Sequence, residues 1–264
     1  MDKNYGHRSR GRPAGSTLEC AIMPHSRFPV RFLILLAGLV LFAGCAGKPI
    51  QRKDGQASGR SFAINNLAKS DVDLISELAQ REVVAGLRRL TVKLYRRNPQ
   101  EFRKAGFDNA ERAAGRIFDQ MPKWRQSGLD KADWAESLRL TFNENYAGDR
   151  VHAYMMALTV MVMASYEHRT EFYMTDDLDA QSLYNSARNL EAAIWKLAQA
   201  RTAAGAPFLL SNGTDEGETN LSFEREFGKL IAQQDLIALI IEDKNNRAIN
   251  RVFQNVASFI LLPV

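Results

Sequence analysis

Val151-His152-Ala153-Tyr154-Met155-Met156-Ala157-Leu158-Thr159-Val160-Met161-Val162-Met163-Ala164 runs for 14 residues through the centre of the chain without a formal charge. Fourteen residues are too few to span a bilayer comfortably. A helix that is apolar on every side is packed on several sides, so this stretch predicts the central helix of a helical core. Upstream, Val83, Leu87, Leu90 and Leu94 follow one another at helical spacing, behind a Ser70-Asp71-Val72-Asp73 capping box. Asn98-Pro99 stops that helix, because proline disfavours helix at the preceding residue and removes a donor. Further helices are expected from Pro99 to Gln120, with a break near Gly106–Asn109, and from Lys131 to Asn143 under an Asp130 cap. Downstream, Asp176 or Asp177 caps a helix carrying Leu183, Ala187, Leu190, Ile194 and Leu197. Phe223, Phe227, Leu230 and Ile231 open another that reaches Asp243, and a last one spans Ala248 to Ile260. No segment alternates with period two. The fold class predicted is all-α, a single domain of six to eight helices over residues 62–264. Antiparallel helix pairs would form either a bundle or a short helical solenoid.

Working further out, Met23 to Arg31 carries two arginines and no acid, and Phe32 to Phe42 is an uncharged apolar run. These are the basic and apolar regions of an export signal. Leu41-Phe42-Ala43-Gly44-Cys45 resembles the lipobox of bacterial lipoproteins, with Phe42 where the family most often has leucine. The resemblance covers residues 23–45. It implies that residues 23–44 are a signal peptide and that Cys45 is acylated and becomes the new N-terminus. Ala46-Gly47 after the cysteine, in place of aspartate, implies transfer to the bacterial outer membrane with the domain facing the periplasm. Residues 1–22 fit no export signal, which points to Met23 as the start and to residues 1–22 as an extension. Residues 45–61 read as the lipidated cysteine and a flexible tether, rich in glycine and polar residues.

The 264-residue chain has a net charge of +5, which invites a nucleic-acid reading. Six of its 35 basic and two of its 30 acidic residues precede Cys45, leaving 29 and 28 and a net charge of +1. That removes the main support for a nucleic-acid partner. Cys20 and Cys45 are the two cysteines, so a chain processed at Cys45 keeps no free thiol. Two histidines follow Cys45, His152 and His168, at opposite ends of the central helix and about 24 Å apart at ~1.5 Å per residue. With no thiol and no His-Glu-x-x-His spacing, a standard zinc site is not expected, and no cofactor is implied. Met155, Met156, Met161, Met163 and Met174 read as core filling rather than as copper ligands.

The richest polar segment is Tyr166 to Asp179. Glu167 and Glu171 are placed on one helical face with His168 beside them, followed by Asp176 and Asp177, with Arg188 a little further on. This group, Glu167, His168, Glu171, Asp176, Asp177 and Arg188, is the candidate polar site, able in principle to hold a divalent ion or a general acid–base group. A helix end and an acidic cap for the next helix explain the same residues. Glu136-Ser137 resembles the catalytic pair of soluble lytic transglycosylases, without the downstream segment of that family. Arg89, Lys93, Arg96 and Arg97 form a candidate basic face opposite the Leu stripe, suited to anionic headgroups or an acidic partner, or simply solvated. Tyr95–Pro99 resembles the end of a tetratricopeptide repeat, but no period of about 34 residues repeats.

The function expected is that of a binding or assembly module in the cell envelope, anchored by lipid and meeting an envelope protein partner. The other readings are a carboxylate-dependent enzyme acting on cell-wall or lipid substrates, and a periplasmic ligand- or metal-binding component.

Overall fold

The computed structural model describes residues 50–51, 57–58, 64–213 and 221–261, with side chains described over 66–213 and 221–247. By its internal contacts the chain divides into two units, residues 1–62 and 63–264. In the first, Ile50–Gln51 (β1) and Ala57–Ser58 (β2) form a two-residue antiparallel pair. The expected signal peptide and acylated Cys45, and the residues before them, lie outside the described residues.

The second unit is all-α. Its described residues form seven α-helices, α1 (Asp71–Arg97), α2 (Pro99–Lys104), α3 (Ala110–Phe118), α4 (Trp134–Thr141), α5 (Arg150–Ser165), α6 (Ala180–Gln199) and α7 (Ser222–Leu261). Short 3-10 turns cover Ile64–Ala68, Met121–Gln126 and Leu129–Lys131. The capping box forms: the Ser70 hydroxyl accepts from the Asp73 amide, and Asp73 accepts from the Ser70 amide. The apolar stripes of α1 and α6 are buried along their whole length. Met155, Met156, Met161 and Met163 are buried in α5, as core filling requires, whereas Met174 is exposed.

Helix directions follow from facing residues. Across α1 and α7, a Cβ on Gly86 would meet Leu230, Arg89 faces Glu226, and Lys93 lies over the Phe223 ring. The numbers rise along one helix as they fall along the other, so the pair is antiparallel. Across α6 and α7, Ser186 meets Gln234 and Arg188 meets Asp235, with the Gln181 and Glu242 ends sharing a cavity; this pair is also antiparallel. Tyr95 binds Asp149 at the start of α5, and Gln80 binds the Arg169 carbonyl beyond its end, which makes α1 and α5 antiparallel as well. Helices α1, α5, α6 and α7 therefore run alternately up and down, each touching the next, and α1 touches α7. That last contact closes the ring: the architecture is a four-helix bundle, with α2–α4 an excursion between α1 and α5.

Four expectations are corrected. Asp133, not Asp130, caps α4, because the 3-10 turn Leu129–Lys131 takes up the preceding residues. Asp179, not Asp176 or Asp177, caps α6, accepting from the Gln181 and Ser182 amides. Asp176 is occupied elsewhere, by the Tyr173 amide and Arg169. The last two expected helices are one continuous α7 of 40 residues. Finally, α5 ends at Ser165, so Glu167 and Glu171 do not share a helical face.

Candidate functional site

Beyond α5 the backbone reverses sharply. Tyr166 caps the helix, and Glu167 and His168 both take left-handed φ values, 54° and 55°. Two adjacent non-glycine residues in that region cost roughly 1–2 kcal/mol each. The turn is held from outside: Arg125 donates to the Glu167 and His168 carbonyls, and the Trp124 indole N–H donates to His168 Nδ1 at 3.1 Å. The His168 ring therefore presents an unprotonated Nδ1 to Trp124. Burial holds its pKa below the ordinary imidazole value, against the opposing field of Asp130.

The acids of this segment are already engaged. Arg169 bridges Glu167 (3.2 Å) and Asp176. Glu171 accepts from the Tyr173 hydroxyl at 2.8 Å. Lys69 pairs with Glu77, which also receives the Phe172 amide, and Lys244 reaches Asp73 at 3.3 Å. His168, Glu171 and Asp176 line one cavity of about 410 Å³ beside Trp124, Arg125 and Tyr173. Asp177 is exposed and Glu167 contributes its backbone turn. Arg188 stands apart, between α6 and α7, gripping Asp235 with one nitrogen (2.9 and 2.7 Å) and Glu191 with another. Among the described residues no group of three His, Cys, Asp or Glu could hold a metal ion.

His152 lies at the other end of α5, with its amide donating to the capping Asp149. Asp149 also accepts from the Tyr95 hydroxyl at 2.7 Å and from Arg116. Burial, with Arg116 adding to it, pushes the His152 pKa down to about 4, and its Nδ1 has no hydrogen-bond partner among the described residues. Glu136 is gripped by Arg139 on the exposed face of α4 and the Ser137 hydroxyl donates to the Asp133 carbonyl, so this pair is tied up in its own helix.

The basic residues of α1 divide. Arg89 and Lys93 lean toward α7, onto Glu226 (3.7 Å) and the Phe223 ring (4.8 Å). Arg96 and Arg88 lean toward α3, onto Glu111 and Asp119 (3.0 Å). Between them lies a trough of about 500 Å³ with Val92 at its floor. Burial lowers the Lys93 pKa; Glu226 opposes this, while Arg225, Arg97 and Lys229 add to it. Arg97 turns away, so that a Cβ on Gly213 would lie 3.3 Å from its Nη2. The pairs toward α3 join side chains that are about half exposed or more. Such pairs contribute only about 0–1 kcal/mol and yield readily to another anion.

The trough does not end at Arg88. That residue also borders a cavity of about 400 Å³ over Val84, Ala85, Phe118 and Met121, mainly apolar in lining. Pro122 and Thr170 in turn join this cavity to the one beside Trp124 and His168. Two cavities thus adjoin along α1, and the third, with no α1 residue in its lining, adjoins the second at Pro122 and Thr170. Of the basic face read from the sequence, Arg89, Lys93 and Arg96 line the trough and Arg97 does not, while Arg88 and the apolar stretch were missed. Their signal is Val84, Arg88, Val92 and Arg96, a second stripe at spacing four on the helix whose Leu stripe faces the core.

Compared with protein families, with curated proteins and with solved structures, the chain gives no match. No helix among the described residues is long and apolar enough to cross a membrane.

Proposed function

We propose that this chain is a helical binding module of the bacterial envelope, held at the outer membrane through lipid on Cys45 and facing the periplasm. The observation that supports a binding role is the pair of adjoining cavities beside α1, one mainly apolar and one cationic in lining, which meet at Arg88. Pre-formed concave surfaces of several hundred Å³ that are mostly apolar with a few placed charges are suited to recognition. The carboxylates that an enzyme would use are engaged instead: Glu167 and Asp176 by Arg169, Glu171 by Tyr173. That pairing favours the module over a carboxylate-dependent enzyme. The anchor is supported by the leader sequence and lies outside the described residues.

Two measurements test this reading. Cells fed an alkyne-bearing fatty acid should label the wild-type chain and not Cys45→Ala, and the variant should leave the membrane fraction. Equal labelling of both would contradict the anchor. Affinity capture of the lipidated protein from envelopes should recover a component that Ala85→Trp, which fills the apolar cavity, fails to retain. The same components with both proteins, or none with either, would contradict the module.

A further inference from the structure

The two cavities that meet at Arg88 differ in chemistry in a way that selects one kind of occupant. On one side the lining is mainly apolar, with Val84 and Ala85 from α1 and Phe118, Met121 and Pro122 from the excursion, bordered by Gln80, Arg81 and Thr170. On the other it is cationic, with Arg88, Arg89, Lys93 and Arg96 around Val92. From Val84 to Arg96 the trough follows about 18 Å of helix. Resting on the binding-module reading, we infer that these cavities are one site for a single-chain anionic amphiphile. Its alkyl chain lies over Val84, Ala85 and Phe118, and its phosphate or carboxylate head lies among Arg88, Arg89 and Lys93.

Charge complementarity carries the assignment of the head. Arg88, Arg89, Lys93 and Arg96 crowd four cations into the lining of one trough. An incoming anion relieves that mutual repulsion. It displaces the pairs Arg88–Asp119 and Arg96–Glu111, both of which are largely exposed. The groove shape carries the assignment of the tail. Phe118 is buried and Val84, Ala85 and Met121 are half-buried around this cavity of about 400 Å³, a concave surface rather than a flat one.

The test uses the full-length chain in phosphatidylcholine nanodiscs and a decyl phosphate carrying a diazirine in its chain. Photolysis should place adducts on the peptides around Val84–Arg88 and Phe118–Pro122. The matching diazirine decanol should label these at least tenfold less. Excess decyl phosphate should abolish labelling, octyl phosphate should compete about tenfold less well, since each methylene is worth about three- to fourfold, and inorganic phosphate should not compete. Arg88→Glu and, as a milder change, Lys93→Gln should each reduce labelling with an unaltered circular dichroism spectrum. Equal labelling by the alcohol, adducts spread over other faces, or full competition by inorganic phosphate would overturn the inference. If Ala85→Trp still releases a captured protein while no adduct forms in the groove, the module stands and the amphiphile is excluded.

Discussion

At the scale of the residue, the polar groups of the core divide into satisfied and unsatisfied ones, and the difference is measurable. The Tyr166 hydroxyl donates to Gln234 Oε1 at 2.7 Å, and Gln234 in turn donates to Ser186. Tyr154 is equally buried, but its hydroxyl has no hydrogen-bond partner among the described residues. Removing a satisfied hydroxyl leaves its partner stranded, whereas removing an unsatisfied one relieves a desolvation cost. Tyr166→Phe should therefore lose about 1–2 kcal/mol in urea unfolding, and Tyr154→Phe should be neutral or gain up to about 1 kcal/mol. His152 supplies a pH dependence. Its folded pKa of about 4 lies below the unfolded value of about 6.5. The unfolded chain therefore takes up the proton first, and stability falls as the pH drops from about 6.5 to 4. Partial exposure limits the effect to about 2–3 kcal/mol. Burial lowers the His168 pKa in the same direction. His152→Leu should flatten the decline between pH 7 and pH 5, read from midpoints of denaturant unfolding.

At the scale of the element, Asn98 shows how much one junction carries. Its side-chain amide donates to the Leu94 and Leu210 carbonyls and accepts from the Leu210 amide, fastening the end of α1 to a loop 112 residues away. Asn98→Ala strands these buried groups and should cost about 2–3 kcal/mol in unfolding, with faster amide exchange at Leu210. In the sequence Asn98 reads as a helix stop, which it is, but nothing nearby reveals the distant partner. The same contrast runs through the other elements. The stripes of α1 and α6 and the Ser70 box are local patterns, and they were legible because burial follows helical period. The sequence offers Asp176 or Asp177 as the cap rather than Asp179 because acids close together compete, and only the fold shows Arg169 and the Tyr173 amide taking Asp176. Two helices, one to Asp243 and one from Ala248, were expected where α7 is continuous, since an exposed or half-buried stretch needs no apolar residues to stay helical. For the polar site, His168, Glu171 and Asp176 come to one cavity, while Glu167, Asp177 and Arg188 do not line it. The fate of the site depended on Trp124 and Arg125, more than 40 residues upstream, which hold the turn at Glu167–His168.

At the scale of the whole molecule, helices that follow and pair along the sequence leave bundle and solenoid alike open. The contact between the first and last long helices decides it, and close approach at Gly86 against Leu230 permits that contact. With the ring closed, the core is filled, and the concave surface beside α1 is left on the outside between α3 and α7. The charge of the chain falls into place at the same scale. Much of its excess lies before Cys45, while four of the six cations of α1 gather at one trough despite a near-neutral balance. The central claim is that this trough and its apolar extension are the working surface. Its most direct measurement is photo-crosslinking in intact cells, with a benzophenone amino acid placed either at Val84 in the groove or at Tyr184 in the cavity between α6 and α7. A discrete adduct from Val84, absent from Tyr184 and lost on adding Arg88→Glu, is the predicted result. No adduct from Val84, or the same adduct from both positions, would contradict it.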